Sequence, residues 1–250
     1  MQNNFFLRLQ LLVCLVFLNY PQARAEANEL WQQANNFYQQ QQYDSAQKIY
    51  LQLLATEGGN FQLYYNLGNS AYRLQQTDSA ILFYEKSLLL NPKDEAAKQN
   101  LLLAQSRIVN PLPNAPVFFF TRWWNQLITF FSPNVWAWIS FGTFLVILGV
   151  IYAHRRKNIP YIGRWLSLGI VVCLLLLCLA YFSFDYSRNS GKAVVMDQPQ
   201  PLLDKPMGKT VLEVPKGTVV LVIAEEAGFF RLRLPNGSEG WLPESVLAKI

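Results

Sequence analysis

Two apolar runs in the middle of the chain constrain it more than anything else. They extend from Trp123 to Ala153 and from Trp165 to Phe184, with the basic patch His154-Arg155-Arg156-Lys157 between them. A helix needs about 20 apolar residues to cross the hydrocarbon of a bilayer, and each run can supply them. Two such spans in succession make a hairpin, which splits the sequence into two water-facing parts and puts both on the same side of a membrane. Composition agrees. The 250 residues are 52% hydrophobic and only 15% charged, too apolar for an ordinary soluble protein and suited to a mosaic of soluble and membrane segments.

The net charge of +5 belongs to the membrane topology. Residues 26–109 hold eight acids and six bases, and residues 190–250 hold seven of each. The surplus sits at Arg8 and Arg24, at Arg122, and in the loop 154–164 with Arg155, Arg156, Lys157 and Arg164. No soluble part carries the basic face that a nucleic-acid partner requires, so none is expected. Residues 1–25 read as a secretory signal peptide. They have a positive start, the apolar core Leu9–Leu18, and the A-x-A site Ala23-Arg24-Ala25. An uncleaved anchor is the alternative. Cleavage puts Glu26 outside the cytoplasm, so the first span runs inward and the basic loop lands in the cytoplasm. The positive-inside rule gives the same orientation, because the outer flanks carry few bases: Arg122, Arg188 and Lys192. The expected location is a bacterial inner membrane, with both soluble parts periplasmic. The cysteines Cys173 and Cys178 lie five apart in the second run, on different faces of a helix, as small apolar residues rather than a redox or metal pair.

Residues 27–60 and 61–94 align at a period of 34. Asp44-Ser45-Ala46 recurs as Asp78-Ser79-Ala80, Tyr50 as Tyr84, and the small residue Ala34 as Gly68. The second copy, with Tyr64-Tyr65-Asn66-Leu67-Gly68-Asn69, Ala80, Tyr84 and Pro92, resembles the tetratricopeptide repeat. The resemblance implies a helix–turn–helix per copy, with small residues at the helix crossing and aromatics between copies. A third helix over 94–109, with Ala96, Ala97, Asn100, Leu101, Ala104 and Ile108 at helical spacing, is expected to cap the array. In the resembled family the concave face comes from the first helix of each repeat. That places Asn28, Trp31, Asn35, Tyr38 and Gln39, then Gln62, Tyr65, Asn66, Asn69, Tyr72 and Arg73, along a candidate groove. Asn35 and Asn69 stand at equivalent positions, where peptide-binding members use asparagine. They are either peptide ligands or merely solvated polar residues. The further cations of a carboxylate clamp are missing.

Asn110-Pro111-Leu112-Pro113-Asn114-Ala115-Pro116 cannot be helical and marks a domain boundary. Within 110–134 the stretch Phe118–Phe131 sorts Phe120, Trp123, Trp124, Leu127, Ile128 and Phe131 from Thr121, Arg122, Asn125, Gln126 and Thr129 on two helical faces. Such a helix suits the membrane interface, with a turn at Pro133 before spans at 135–153 and 165–184. One long tilted span from Trp123 is the alternative. Neither span carries a charge, which disfavours an ion or solute pathway.

Residues 192–250 change character. A β-branched run at Thr218–Ile223, the alternating Phe230-Arg231-Leu232-Arg233-Leu234, and the turn pair Asn236-Gly237 argue for a small all-β barrel. Gly228-Phe229-Phe230-Arg231-Leu232 with Asn236-Gly237 and Gly240-Trp241-Leu242 resembles the bacterial SH3 domain. That resemblance implies binding of cell-wall peptides or proteins. Phe229 and Trp241 are the candidate aromatic site, although Trp241 serves equally well as a core residue.

The only histidine, His154, sits at a membrane boundary, and the sequence holds no phosphate-binding glycine loop and no Cys/His cluster. No catalytic, cofactor or metal site is expected, and the chain reads as a non-enzyme. The whole order is a multidomain membrane protein: all-α repeat hairpins, a two-helix transmembrane hairpin and an SH3-like module. It resembles the BatE-type proteins of the Bacteroides aerotolerance operon. That resemblance implies a scaffold in a membrane complex with von Willebrand A-domain proteins and a MoxR-type ATPase, connected with oxidative stress. A peptidoglycan-binding anchor is the alternative.

Overall fold

A 34-residue period written in sequence has to reappear as a repeated local geometry, and it does. The computed structural model describes residues 26–116, 118–157, 162–188 and 191–250. The expected signal segment lies outside them. The chain divides into two compact units, one of residues up to 87 with 95–109, the other of 88–94 with 110–250.

The first unit holds helices α1 (26–39), α2 (Tyr43–Glu57), α3 (Phe61–Arg73), α4 (Thr77–Leu90) and α5 (Glu95–Gln105). The turns α1–α2 and α3–α4 are copies of each other. Gln41 and Gln75 take left-handed φ angles of 62° and 61°. Gln42 N–H donates to Phe37 O, and Gln76 N–H to Ala71 O, both at 2.9 Å. These bonds close the helix ends as a Schellman motif does, with glutamine where glycine is usual. Asn60 starts α3 by accepting the Leu63 N–H at 2.9 Å. The helix crossings are tight where the sequence placed small residues. A Cβ on Gly68 would stand 2.6 Å from the Tyr84 ring, and Ala34, Ala46 and Ala80 are fully buried. Tyr50 and Tyr84 fill the space beside them, each only 1% exposed.

Helix α5 stops at Gln105, short of the expected 109, and turns follow. Its buried residues Ala97, Leu101 and Ala104 stand 34 after the buried Leu63, Leu67 and Ser70. So α5 is the first helix of a third copy. The position of Ala34 and Gly68 falls in it on Leu102, which is 65% exposed.

In the second unit α6 (Phe119–Ile128) precedes two long helices, α7 (Pro133–Lys157) and α8 (Ile162–Arg188). Both contain 23-residue stretches, Pro133–Arg155 and Trp165–Ser187, that are long and apolar enough to cross a membrane. This fits a membrane location. The helices outrun the expected spans. Pro133 does not stand outside the first helix but starts it, since a first-turn residue needs no N–H partner. The basic patch also stays helical through Lys157, because no glycine or proline interrupts it. At the α7–α8 contact Ser140, 1% exposed, directs Oγ to Cys173 O at 3.4 Å. Ile147 lies 3.4 Å from where a Cβ on Gly169 would stand. Cys173 is buried and Cys178 exposed, so the two thiols do face apart.

Helix α6 folds back on this hairpin. Trp136 Nε1 donates to Ile128 O at 3.3 Å, and Trp124 meets Phe182 edge-on at 5.6 Å. The apolar face read from the sequence is therefore divided. Trp124 and Ile128 pack inward, while Phe119, Phe120 and Trp123 stay exposed.

The strands are β1 (Lys192–Val195), β2 (Gln200–Leu203), β3 (Thr210–Val214), β4 (Val219–Glu226), β5 (Phe229–Arg233), β6 (Glu239–Pro243) and β7 (Leu247–Lys249). They form one antiparallel sheet in the order β3-β2-β6-β5-β4-β1-β7. Residues from β1 through β6, among them Val195, Leu202, Val214, Phe230 and Leu242, share a single core, so the sheet coils around it. The ladder nevertheless stays open: β3 and β7 are its edges, where a closed barrel was expected. Gly240 lets β6 approach β2, since a Cβ there would stand 2.8 Å from Leu203 O.

The hairpin turns also differ from expectation. Asn236 does not take a positive φ. Gly237 N–H donates to Leu234 O at 2.9 Å across Pro235-Asn236, and Gly237 then takes φ 87°. Pro235 has no N–H to pair across a two-residue Asn236-Gly237 loop, so the loop takes in Pro235 as well, closed by the Leu234 N–H to Ser238 O bond. The two-residue turn with both φ angles positive is Ala227-Gly228 instead, at 49° and 78°.

Candidate functional site

The groove of the helical array is built from hydrogen-bonded side chains that repeat every 34 residues. In the first set Tyr50 Oη donates to Asn35 Oδ1 at 2.6 Å, and Asn66 Nδ2 lies 3.5 Å from that oxygen and 3.4 Å from Tyr50 Oη. In the second set Tyr84 Oη donates to Asn69 Oδ1 at 2.8 Å, and Asn100 Nδ2 donates to the same oxygen at 3.0 Å and to Tyr65 Oη at 3.2 Å. Each set joins three successive helices. The carbonyl ends of Asn35 and Asn69 are thus engaged within the protein, locking one repeat to the next. The aromatic packing repeats as well, with Trp31 on Tyr50 at 5.8 Å and Tyr65 on Tyr84 at 6.1 Å.

A pocket of about 310 Å³ opens over the second set. Tyr38, Tyr65, Asn69, Tyr72, Arg73, Tyr84, Asn100 and Leu103 line it. Five of these were candidates from the sequence: Tyr38, Tyr65, Asn69, Tyr72 and Arg73. Trp31 is not among them; it lines a separate hollow of about 350 Å³ with Asn28, Asn60 and Gln62. Asn66 serves the first hydrogen-bonded set. The sequence reading missed Tyr84, Asn100 and Leu103. Extending the period by one step from Asn66 would have found Asn100.

Burial governs the electrostatics of the tyrosines. It pushes Tyr50 up to about 12, helped by Tyr38 and opposed by the hydrogen bond from Asn66. Burial likewise raises Tyr84, with Tyr65 adding to it. A hydrogen bond with Tyr38 is the first cause holding Arg73 above its ordinary value. Arg107 flanks the pocket. Its guanidinium lies 3.6 Å from the Tyr72 ring centroid and donates to Tyr72 O at 3.1 Å. No acidic side chain lines the pocket. Neutral phenols, carboxamides and a guanidinium suit a ligand rich in carbonyl or carboxylate oxygens, such as an extended peptide.

On the strand unit, Phe229 and Trp241 are half-exposed on one face of the β5–β6 pair. Trp241 stands opposite Arg231, and Phe229 opposite Pro243. Arg231 and Arg233 share that face, and both reach Glu239, at 3.0 and 2.7 Å. Those bonds, with that from Arg233 first, hold the Glu239 carboxyl below its usual range. Arg155 is exposed, while the side chains of Arg156, Lys157 and Arg164 lie outside the described set. Among the described residues no group of three or more His, Cys, Asp or Glu side chains gathers as a metal site would.

With this geometry in place the comparison with known families is specific. Residues 61–94 match the model of the tetratricopeptide repeat family. The match covers α3, the turn after it and α4, with the two residues that face the pocket across the crossing, Asn69 and Tyr84. A tetratricopeptide repeat is a protein-interaction module. A search of curated proteins finds no match to the chain.

Proposed function

We propose that the chain is a non-enzymatic scaffold of a bacterial inner membrane, displaying its repeat array and strand domain to the periplasm for other proteins to bind. The observation that carries the reading is the acid-free, tyrosine-rich pocket on the matched repeat, in a chain with two helices long and apolar enough to cross a membrane. Charge asymmetry supports the sidedness, since Arg155, Arg156, Lys157 and Arg164 crowd the adjoining ends of the two long helices. Helix α6 immediately precedes α7 in the chain and keeps Phe119, Phe120 and Trp123 exposed, which suits a helix resting in the lipid headgroup region. The SH3-like reading of residues 192–250 rests on its glycine and aromatic pattern and on the coiled antiparallel sheet. A role in an aerotolerance complex with von Willebrand A-domain proteins and a MoxR-type ATPase rests on resemblance in domain order alone.

The test is a photocrosslinker at Tyr72 in intact membranes. One defined adduct, lost in an Arg73→Glu variant, supports the reading. Adducts that ignore Arg73 and consist of random abundant proteins refute it. A reporter active only in the cytoplasm is expected to stay silent at either end of the chain. The second reading, a peptidoglycan anchor, is favoured by the half-exposed Phe229 and Trp241 on one sheet face. It predicts that the chain sediments with insoluble peptidoglycan and that Trp241→Ala abolishes this.

A further inference from the structure

Residues 111–116 carry prolines at 111, 113 and 116 and belong to no helix or strand. Proline fixes its own φ and biases the residue before it toward extended backbone, so Pro-Leu-Pro is extended before it meets anything. The stretch does not hang free between domains. Leu112, half-buried, packs against the core of the strand domain. The Ala115 N–H donates to Pro235 O at 2.6 Å. Its Cβ lies 3.8 Å from where a Cβ on Gly237 would stand. These contacts reach across more than a hundred residues of sequence, from before α6 to the turn between β5 and β6.

The sheet is whole without this strap. Its seven strands pair among themselves, and the nine buried residues of its core all lie between Ala193 and Leu242. Nor is the strap an eighth strand, because its prolines cannot donate to a ladder. It sits on a finished domain as a bound peptide would: one aliphatic side chain inserted, one N–H engaged, and a side-chain-free residue beneath.

We propose that the Leu234–Ser238 turn and the adjoining edge of the core form a peptide-binding seat. In this chain the segment 111–115 fills it. The ligand class is an extended segment with one aliphatic side chain flanked by prolines. While the strap is down, the seat is closed to a partner of that kind, and lifting the strap opens it. This goes beyond the scaffold reading and stands apart from the repeat groove, so either can fail alone.

The test uses the full chain in lipid nanodiscs, with amide exchange and NMR as readouts. In the wild type the Ala115 amide is expected to exchange at least about tenfold more slowly than in Leu112→Asp, which lifts the strap. A synthetic peptide with the sequence of residues 109–117 is then added at about 1–5 mM, near the effective concentration of a tethered segment. It should shift the amides of 234–238 in Leu112→Asp and leave the wild type unchanged. Free-chain exchange of Ala115 in the wild type overturns the proposal. So does a lifted strap with no response to the peptide, or an equal response in both proteins. A Leu112→Asp variant whose strand domain unfolds makes the segment part of the fold, and that too overturns its assignment as a ligand. Exchange at residues 61–94 serves as the internal control and should not change.

Discussion

Asn69 is the shared acceptor of the second hydrogen-bonded set, and its removal tests whether that set locks the repeats together. Tyr84→Phe deletes one donor and leaves Asn69 Oδ1 still bonded to Asn100 at 3.0 Å. The expected cost is one net hydrogen bond, about 0.5–1.5 kcal/mol. Asn69→Ala removes the acceptor and strands the Tyr84 hydroxyl, whose residue is 1% exposed. Asn100 loses one bond and keeps Tyr65 Oη at 3.2 Å. An orphaned buried donor costs about 1–3 kcal/mol, and the weakened amide adds about 1 more. Alanine gives back roughly 0.5 kcal/mol of helix propensity. The net expectation is a loss of about 1.5–3.5 kcal/mol, clearly above that of Tyr84→Phe. In a Tyr84→Phe background the same Asn69→Ala change has no hydroxyl to strand, so it should cost about 1–3 kcal/mol less. The first set provides a control. Asn66 lies at 3.5 and 3.4 Å from its partners, at the limit of a hydrogen bond, so Asn66→Ala should cost less than Asn100→Ala. Amide exchange across α3–α5 in the full chain measures each step, with a tenfold rate change for about every 1.4 kcal/mol. If Asn69→Ala costs no more than Tyr84→Phe, or the two costs simply add, the lock does not exist.

Three further outcomes follow from the same geometry. Tyr50 titrates at about 10 when unfolded and near 12 in the fold; the unfolded chain gives up its proton first, so helical stability should fall as pH rises from 10 to 12. Following helicity by circular dichroism through that window checks this, and Tyr50→Phe should flatten the slope. Ala227 occupies a left-handed position at φ 49° in an exposed turn, so Ala227→Gly should stabilise the strand domain by about 0.5–1 kcal/mol, seen as a higher urea midpoint for its tryptophan signal. Gly240→Ala should destabilise the same domain by about 1–3 kcal/mol, because the added methyl meets backbone that cannot swing aside. Slower amide exchange in β2 and β6 of that variant would refute the steric argument.

Features with a local or periodic cause were visible in the sequence. The 34-residue period gave the helix pairs, and the charge-free runs gave the two long helices. The alternation around Arg231 and Arg233 gave the face on which both arginines meet Glu239. Errors arose where one residue's constraint overrode a pattern. Pro235 changed the turn type that Asn236-Gly237 suggested, and Pro133 began a helix it was expected to precede. Other features have no local signature. Nothing near Ala115 announces a contact with Pro235, more than a hundred residues away, and whether β3 meets β7 depends on the coiling of the whole sheet. In the helical array, Asn35 and Asn69 stand at equivalent places of the period, and each accepts a tyrosine hydroxyl. The sequence marks an asparagine on a groove, whereas only the fold shows a tyrosine hydroxyl already bonded to its oxygen.

Leu102 has a consequence for how such an array can grow. It occupies the place of Ala34 and Gly68, where the second helix of a copy must come close enough to touch. A duplication that added another helix behind α5 would collide with this side chain until it was trimmed to glycine or alanine. Lengthening the groove at this end would have to begin with a loss of bulk at Leu102.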